Sequence, residues 1–268
     1  MQERSKINSL LSFVFCGICL LVPINAKSEN VLNYNIILFE NFNQNELSSF
    51  AQVLLAKNNI ELSQGNGPDG SNAIRVSYVG YKRGSKRAIV HYPLNILSEE
   101  AILSFDVLFD DDFQWVLGGK LHGLGPQNII SGGKKRQPDG WSARVLFKKN
   151  GECATYIYDQ VSKRKYGIKK KSNIPAFKKG QWHHVRFYLK LNDPNYSNGY
   201  ARIIIDNKLV VNHENLVLRS IGGDETLIQT FMFSTFHGGH KPKWSPVDNN
   251  GEYTTVYAYF DNFKIINK

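Results

Sequence analysis

From Val31 onward the chain is a succession of short runs in which apolar and polar residues alternate, each closed by Gly, Asn, Asp or Pro. Ala73-Ile74-Arg75-Val76-Ser77-Tyr78, Ala101-Ile102-Leu103-Ser104-Phe105-Asp106-Val107, His184-Val185-Arg186-Phe187-Tyr188-Leu189 and Ala201-Arg202-Ile203-Ile204-Ile205-Asp206 are the clearest. Side chains two apart on a strand share a face, so this pattern predicts strands, many of them with one buried and one solvated side. Asp206-Asn207-Lys208, between two apolar runs, predicts a tight hairpin. The one helix-like stretch is residues 47–55. Many short strands with no interleaved helices predict an all-β sandwich. No linker-like shift of composition and no internal repeat divides the chain, so one domain is expected over residues 27–268. Leu38-Phe39-Glu40-Asn41-Phe42 echoes Tyr259-Phe260-Asp261-Asn262-Phe263. Terminal strands of jelly-roll sandwiches often run side by side, and these two segments are the expected pair.

Before Val31 the pattern is different. Arg4 and Lys6 precede an apolar run over residues 10–24, followed by Asn25-Ala26 and then the polar Lys27-Ser28-Glu29. A positive start, a short apolar core and a small residue at the cut are the layout of a secretory signal. Cleavage is expected after Ala26, with Ile24 three positions before the cut. The run is short for a bilayer span and is interrupted by Pro23. No later segment is apolar enough to be a transmembrane helix, so the released domain is expected to be secreted, extracellular or periplasmic, and off the membrane.

Composition changes this picture in three places. Aromatic residues reach 12%, with 13 Tyr and 16 Phe against two Met, which favours sheet over helical bundle. Of the three cysteines, Cys16 and Cys19 leave with the signal, so Cys153 remains alone and no internal disulfide can form. The 33 Lys and Arg outweigh the 23 Asp and Glu, and removing the signal lowers the formal charge only from +10 to +9. A basic excess points to an anionic partner. No zinc-finger spacing, RNP motif or recognition-helix pattern is present, so nucleic acid is not expected. Lys134-Lys135-Arg136, Lys163-Arg164-Lys165 and Lys169-Lys170-Lys171 sit in loops or at strand ends and read mainly as solvated surface.

Candidate chemistry gathers in two segments. Residues 140–158 read as strand, turn, strand, with Ser142 and Arg144 sharing a face of the first strand and Tyr156 and Tyr158 a face of the second. A two-residue Asn150-Gly151 turn would set Arg144 opposite Ile157 and send the tyrosines to the other face. A three-residue loop, Lys149-Asn150-Gly151 with Gly151 left-handed, sets Arg144 opposite Tyr156 and Ser142 opposite Tyr158. The second register is preferred, because it gathers four polar groups and turns Val145, Phe147, Cys153, Thr155 and Ile157 toward apolar packing. In the other segment, residues 113–124, Gln114 and Lys120 share a parity opposite to Phe113, Trp115, Leu117 and Leu121. A lysine beside Gly118 and Gly119 has room around it for a ligand.

Here the chain resembles polysaccharide lyase family 14, the alginate and glucuronan lyases. The resemblance rests on Gly118-Gly119-Lys120-Leu121 with Gly123-Leu124, on Gly140-Trp141-Ser142-Ala143-Arg144, and on Tyr156-Ile157-Tyr158. It continues through Gly180-Gln181-Trp182-His183-His184-Val185 and Phe233-Ser234-Thr235-Phe236-His237-Gly238-Gly239, with Trp244 and Pro246 after it. It spans residues 105–263, and His122 stands where the family usually has proline. The resemblance implies a jelly-roll β-sandwich with its active cleft on the concave face, acting on an acidic polysaccharide without a cofactor or a metal, and a monomer is expected.

Such a polymer can be cut by β-elimination. A base removes the proton at C5, α to the carboxylate, and the oxygen at C4 leaves with help from an acid. Cations on the carboxylate stabilise the charge that develops there, and Lys120 and Arg144 are of that kind, with Ser142 able to donate beside them. Tyr156 and Tyr158 are the base and acid candidates, and Lys120 is a further candidate base. Gln114, His122, His237 and Trp244 are candidate sugar contacts. His183-His184 and His237-x-x-His240 are the visible histidine pairs, but adjacent strand histidines point to opposite faces, which disfavours a metal centre. Asp110-Asp111-Asp112 reads as a turn rather than the opposed carboxylates a glycosidase needs. The competing class is a carbohydrate-binding module or lectin that uses the same basic cleft without chemistry. Asn195-Tyr196-Ser197 is a glycan acceptor sequence if the host is a eukaryote.

Overall fold

The computed structural model describes residues 35–267; the expected signal segment and its cleavage site lie outside the described residues. The described chain forms β1 (Asn35–Glu40), α1 (Ser49–Leu55), β2 (Ile60–Ser63), β3 (Ala73–Tyr81), β4 (Gly84–Ser85), β5 (Ala88–Ser98), β6 (Glu100–Phe109) and β7 (Gly118–Gly125). It continues through β8 (Ser142–Lys148), β9 (Glu152–Tyr158), β10 (Lys171–Pro175), β11 (Trp182–Lys190), β12 (Gly199–Ile205), β13 (Lys208–Leu216), β14 (Ile228–His237) and β15 (Thr255–Asn267). Among the described residues no helix is long and apolar enough to cross a membrane.

These strands make a jelly-roll β-sandwich of two antiparallel sheets. One runs β13-β12-β11-β6-β15-β3-β2, with β1 against β15 and β4 against β3; the other runs β10-β9-β8-β7-β14-β5. The predicted pairing of the two echoing segments is present, with Glu40 opposite Phe263 and Phe39 opposite Lys264. The hairpin between β12 and β13 turns on Asp206 and Asn207, both at positive φ, as a tight turn matched to strand twist requires. The helix begins later than its hydrophobic pattern suggests because Ser48 caps it, its Oγ accepting from the Ala51 amide at 3.1 Å.

The core lies between the sheets. Phe105, Val107 and Phe109 of β6 and Phe260 and Phe263 of β15 face Val145 and Phe147 of β8 and Phe231 and Phe233 of β14, all fully buried. Each such side chain contributes about 1.5–3 kcal/mol relative to exposure. Cys153 also faces this core, where burial pushes its thiol up to about 12. Phe260 and Phe263 are three apart yet both buried, because β15 carries an irregularity between Asp261 and Lys264 with Asn262 at φ 51°.

Candidate active site

The β8–β9 hairpin sets the floor of the site. Its loop is the predicted three-residue one, Lys149–Gly151, with both Asn150 (φ 61°) and Gly151 (φ 74°) left-handed. The register follows: Ser142 stands opposite Tyr158 and Arg144 opposite Tyr156. Their side chains project from the sheet's outer face, while Val145, Phe147, Cys153 and Ile157 face the core. The two tyrosine rings meet edge to face at 5.5 Å, with their hydroxyls 3.4 Å apart.

Lys120 joins this row from β7. It pairs across to Leu146 of β8 and Phe236 of β14. Its ammonium lies 5.6 Å from the Tyr156 ring and 5.1 Å from the Phe236 ring. Two glycines make the approach possible. A Cβ on Gly238 would stand 2.7 Å from Lys120 Nζ, and one on Gly123 would stand 2.6 Å from Arg144 Cγ. Lys120, Arg144 and Tyr156 open into one cavity of about 490 Å³, walled further by Arg87, Lys169, Lys241, Lys243 and Trp244.

The electrostatics of this cavity are those of cations crowded around a buried arginine. Burial first, then Arg144, Lys169, Arg87 and Lys148, depress the Lys120 ammonium to about 7. Burial brings Arg144 down to about 10, against the opposing pull of Tyr156 and Tyr158. Burial raises the Tyr156 phenol above its ordinary range. Near neutrality Lys120 is therefore poised between amine and ammonium, Tyr156 stays protonated, and Arg144 stays charged. The Nε of Arg144 is buried and makes no hydrogen bond.

Four expected contacts lie elsewhere. His122 does not face the cleft. Leu121 and His122 lie where β7 carries one residue more than β8 between the Lys120–Leu146 and Gly123–Arg144 pairs, so simple parity fails. The His122 ring enters the core, 4.4 Å from Phe233 and 4.7 Å from Phe105, and burial holds it well below the usual imidazole range. His237 is likewise fully buried, stacked on Phe113 at 5.3 Å, its Nε2–H donating to the Gln114 carbonyl at 2.7 Å. Gln114 precedes a turn with Val116 at φ 47° rather than lying on a strand, and its amide brackets the Val247 main chain at 2.7 and 3.0 Å. Ser142 is fully buried and donates its hydroxyl proton to the Ile130 carbonyl at 2.6 Å, which uses the donor expected for a carboxylate.

Tyr158 is fully buried behind Tyr156, and its oxygen accepts from the Gly133 amide at 2.9 Å. Trp244 is in the cavity wall, 5.6 Å from Lys148 Nζ. The histidine pairs do not converge: His240 lines the cavity while His237 is buried behind it. His183 and His184 take separate aspartates, Asp206 at 2.7 Å and Asp106 at 2.5 Å. Among the described residues no group of three or more His, Cys, Asp or Glu side chains is arranged to hold a metal. Arg87, Lys169, Lys241 and Lys243 are cavity residues that the sequence pattern did not single out. Arg87 shares its parity with Ile89 on the same wall, and Lys241 and Lys243 flank Trp244 closely, but Lys169 looks like any solvated lysine run.

The family model described as polysaccharide lyase 14 matches residues 71–263, most of the chain. The chain belongs to that family. It is a polysaccharide lyase, and the match begins earlier than the motifs alone suggest. No individually curated protein matches the sequence. Among solved structures, a variant of the alginate lyase Aly36B in complex with alginate tetrasaccharide is 23% identical, with a TM-score of 0.66 over 86% of this chain and 96% of that one. The PL-14 alginate lyase of Aplysia kurodai is 19% identical, with a TM-score of 0.65 over 87% and 100%. The endo-β-1,4-glucuronan lyase of Trichoderma reesei is 14% identical, with a TM-score of 0.58 over 87% and 96%. At these identities the likeness shows the shared sandwich.

Proposed function

We propose that the protein is a secreted lyase that cleaves a uronate polymer, alginate or glucuronan, by β-elimination, with side chains rather than a metal ion stabilising the charge. The observation that carries this reading is the buried, unpartnered Nε of Arg144 beside Lys120 and Tyr156 in one basic cavity. A buried guanidinium with a free donor fits a carboxylate, and a carboxylate held there has its α-carbon within the reach of neighbouring groups. In the elimination, the neutral Lys120 amine takes the C5 proton. The electron pair forms the C4=C5 double bond as the C4–O4 bond breaks, and Tyr156 gives its phenolic proton to O4. The enzyme is left with an ammonium and a phenolate, which exchange a proton to restore the starting state. This replaces the choice between two tyrosines: Lys120 is the group poised near neutrality, and Tyr156 is the tyrosine in the cavity wall. Family membership and a solved relative bound to alginate support the substrate class. Export is supported by the signal pattern of residues 1–26.

Ultraviolet absorbance of the conjugated unsaturated uronate, followed on alginate and on glucuronan, tests the reading. New absorbance is expected with the native protein and not with Lys120→Met or Tyr156→Phe, both still sedimenting with the polymer. Binding without new absorbance on every uronate polymer would instead make the protein a lectin-like module.

A further inference from the structure

Tyr158 does not reach the cavity, yet its surroundings are built around it. The segment between β7 and β8 folds back so that the Gly133 amide donates to the Tyr158 oxygen at 2.9 Å. That segment is fastened by Arg136, whose side chain is mostly buried. Its Nε donates to the Asp159 carbonyl at 2.5 Å, its Nη1 to the Arg164 carbonyl at 2.6 Å, and its Nη2 to Asp159 Oδ1 at 3.3 Å. The same guanidinium lies 5.6 Å from the Tyr158 ring. Arg136 thus ties three pieces of chain together: the segment bearing Gly133, the end of β9, and the loop of Arg164. Gly133 sits at φ 85°, and a Cβ there would stand 3.1 Å from the Tyr166 ring, so a larger residue would strain the backbone and press on Tyr166.

We propose that Arg136 is a positioning residue for proton donation, holding Gly133 on Tyr158 so that Tyr158 supports the ionised Tyr156. The inference rests on the reading of Tyr156 as the acid. To give its proton to the leaving oxygen, Tyr156 must aim that proton into the cavity, so the hydrogen bond between the two phenols has to be donated by Tyr158. A phenol whose oxygen already accepts an N–H is the stronger donor, because hydrogen bonds in a chain polarise one another. The sequence Gly133 N–H, Tyr158 O–H, Tyr156 O–H then points one way, toward the substrate. When Tyr156 loses its proton, the donor from Tyr158 remains on its oxygen. At 3.4 Å this contact is long, as catalytic hydrogen bonds often are before substrate arrives.

The distinguishing experiment uses the leaving group. A synthetic uronate with a nitrophenolate at C4 needs no proton to depart, whereas the polymer does. For Arg136→Ala, kcat on the polymer is expected to fall by about 10- to 100-fold, less than the proton transfer it only supports, which is worth about 10²–10⁴-fold. KM should stay near the native value, and kcat on the nitrophenolate substrate should change little. Tyr158→Phe should show the same selective loss, and Arg136→Lys an intermediate one. Should Arg136→Ala fail to fold, Arg136→Lys and Tyr158→Phe carry the test. Equal losses on both substrates, or none on either, would overturn the positioning role. Tyr156→Phe separates the two levels. If it lacks leaving-group selectivity, the acid assignment fails; if it alone is selective, only the role of Arg136 falls.

Discussion

Each sheet carries a cluster of charge around a buried group, and the two clusters are built on opposite principles. On the six-stranded sheet, Lys120 and Arg144 are crowded with Lys148, Lys169 and Arg87, with no carboxylate in the cavity wall. On the nine-stranded sheet, Glu40, Asp106 and Asp261 gather, and each has protein partners. Glu40 takes the Phe42 amide and the Ser48 hydroxyl; Asp106 takes His184 and Asn262; Asp261 takes the Asn262 amide and Ser71. A buried charge satisfied by its own chain reports on folding. A buried charge left with a free donor reports on something that arrives from outside.

The strongest way to break this comparison is to remove one charge from each cluster. Lys120→Met should lower turnover by about 10²–10⁴-fold, the usual worth of a positioned base, while leaving the melting temperature unchanged or higher. Asp106→Ala should do the reverse, keeping kcat but costing about 1–3 kcal/mol of stability through the partners it abandons, read in a denaturant titration. Loss of turnover in Asp106→Ala, with folding intact, would erase the distinction.

A smaller effect follows from pH, and the signs differ. Burial, with Asp106 and Glu40 nearby, raises Asp261 to about 7, so between the ordinary carboxylate range and about 7 the folded state holds a proton that the unfolded state has lost. Stability therefore falls as pH rises through that window, and Asp261→Asn should flatten it. Lys120 is depressed to about 7, so from there to the ordinary lysine range the unfolded state binds the extra proton, and stability rises with pH. Lys120→Met should remove that rise. Melting temperatures across pH for the three proteins check both slopes. The least effect is expected from salt. As the screening length shrinks from about 10 Å to about 3 Å, kcat/KM on the polymer should fall several-fold through weaker attraction, with kcat nearly constant.

Local pattern was enough for the hairpin and not for its neighbour. The β8–β9 register follows from alternation plus one turn, both contained within nineteen consecutive positions, 140–158. That is why alternation and loop length are sufficient to set Arg144 opposite Tyr156. On β7 alternation puts Lys120 on the cavity face, as the structure has it, but the same alternation carried on to His122 does not hold. The extra residue there is fixed by pairing with β8 and β14, strands that join from later in the chain. Gln114 failed for a related reason: Val116 at positive φ ends the extended run before it reaches β7. Lys169 shows the opposite limit. Nothing in a triple lysine says which one leans over a cavity, since that depends on where β9 and β10 carry the loop between them.

The central place of β15 bears on how the chain assembles. It lies between β6 on one side and β3 and β1 on the other, so the nine-stranded sheet has an open gap until the final thirteen described residues arrive. A chain emerging from its N-terminus can form the β8–β9 and β12–β13 hairpins early, but it cannot close its larger sheet. Such a protein stays pliable until β15 has been made, with the edges of three strands waiting for it.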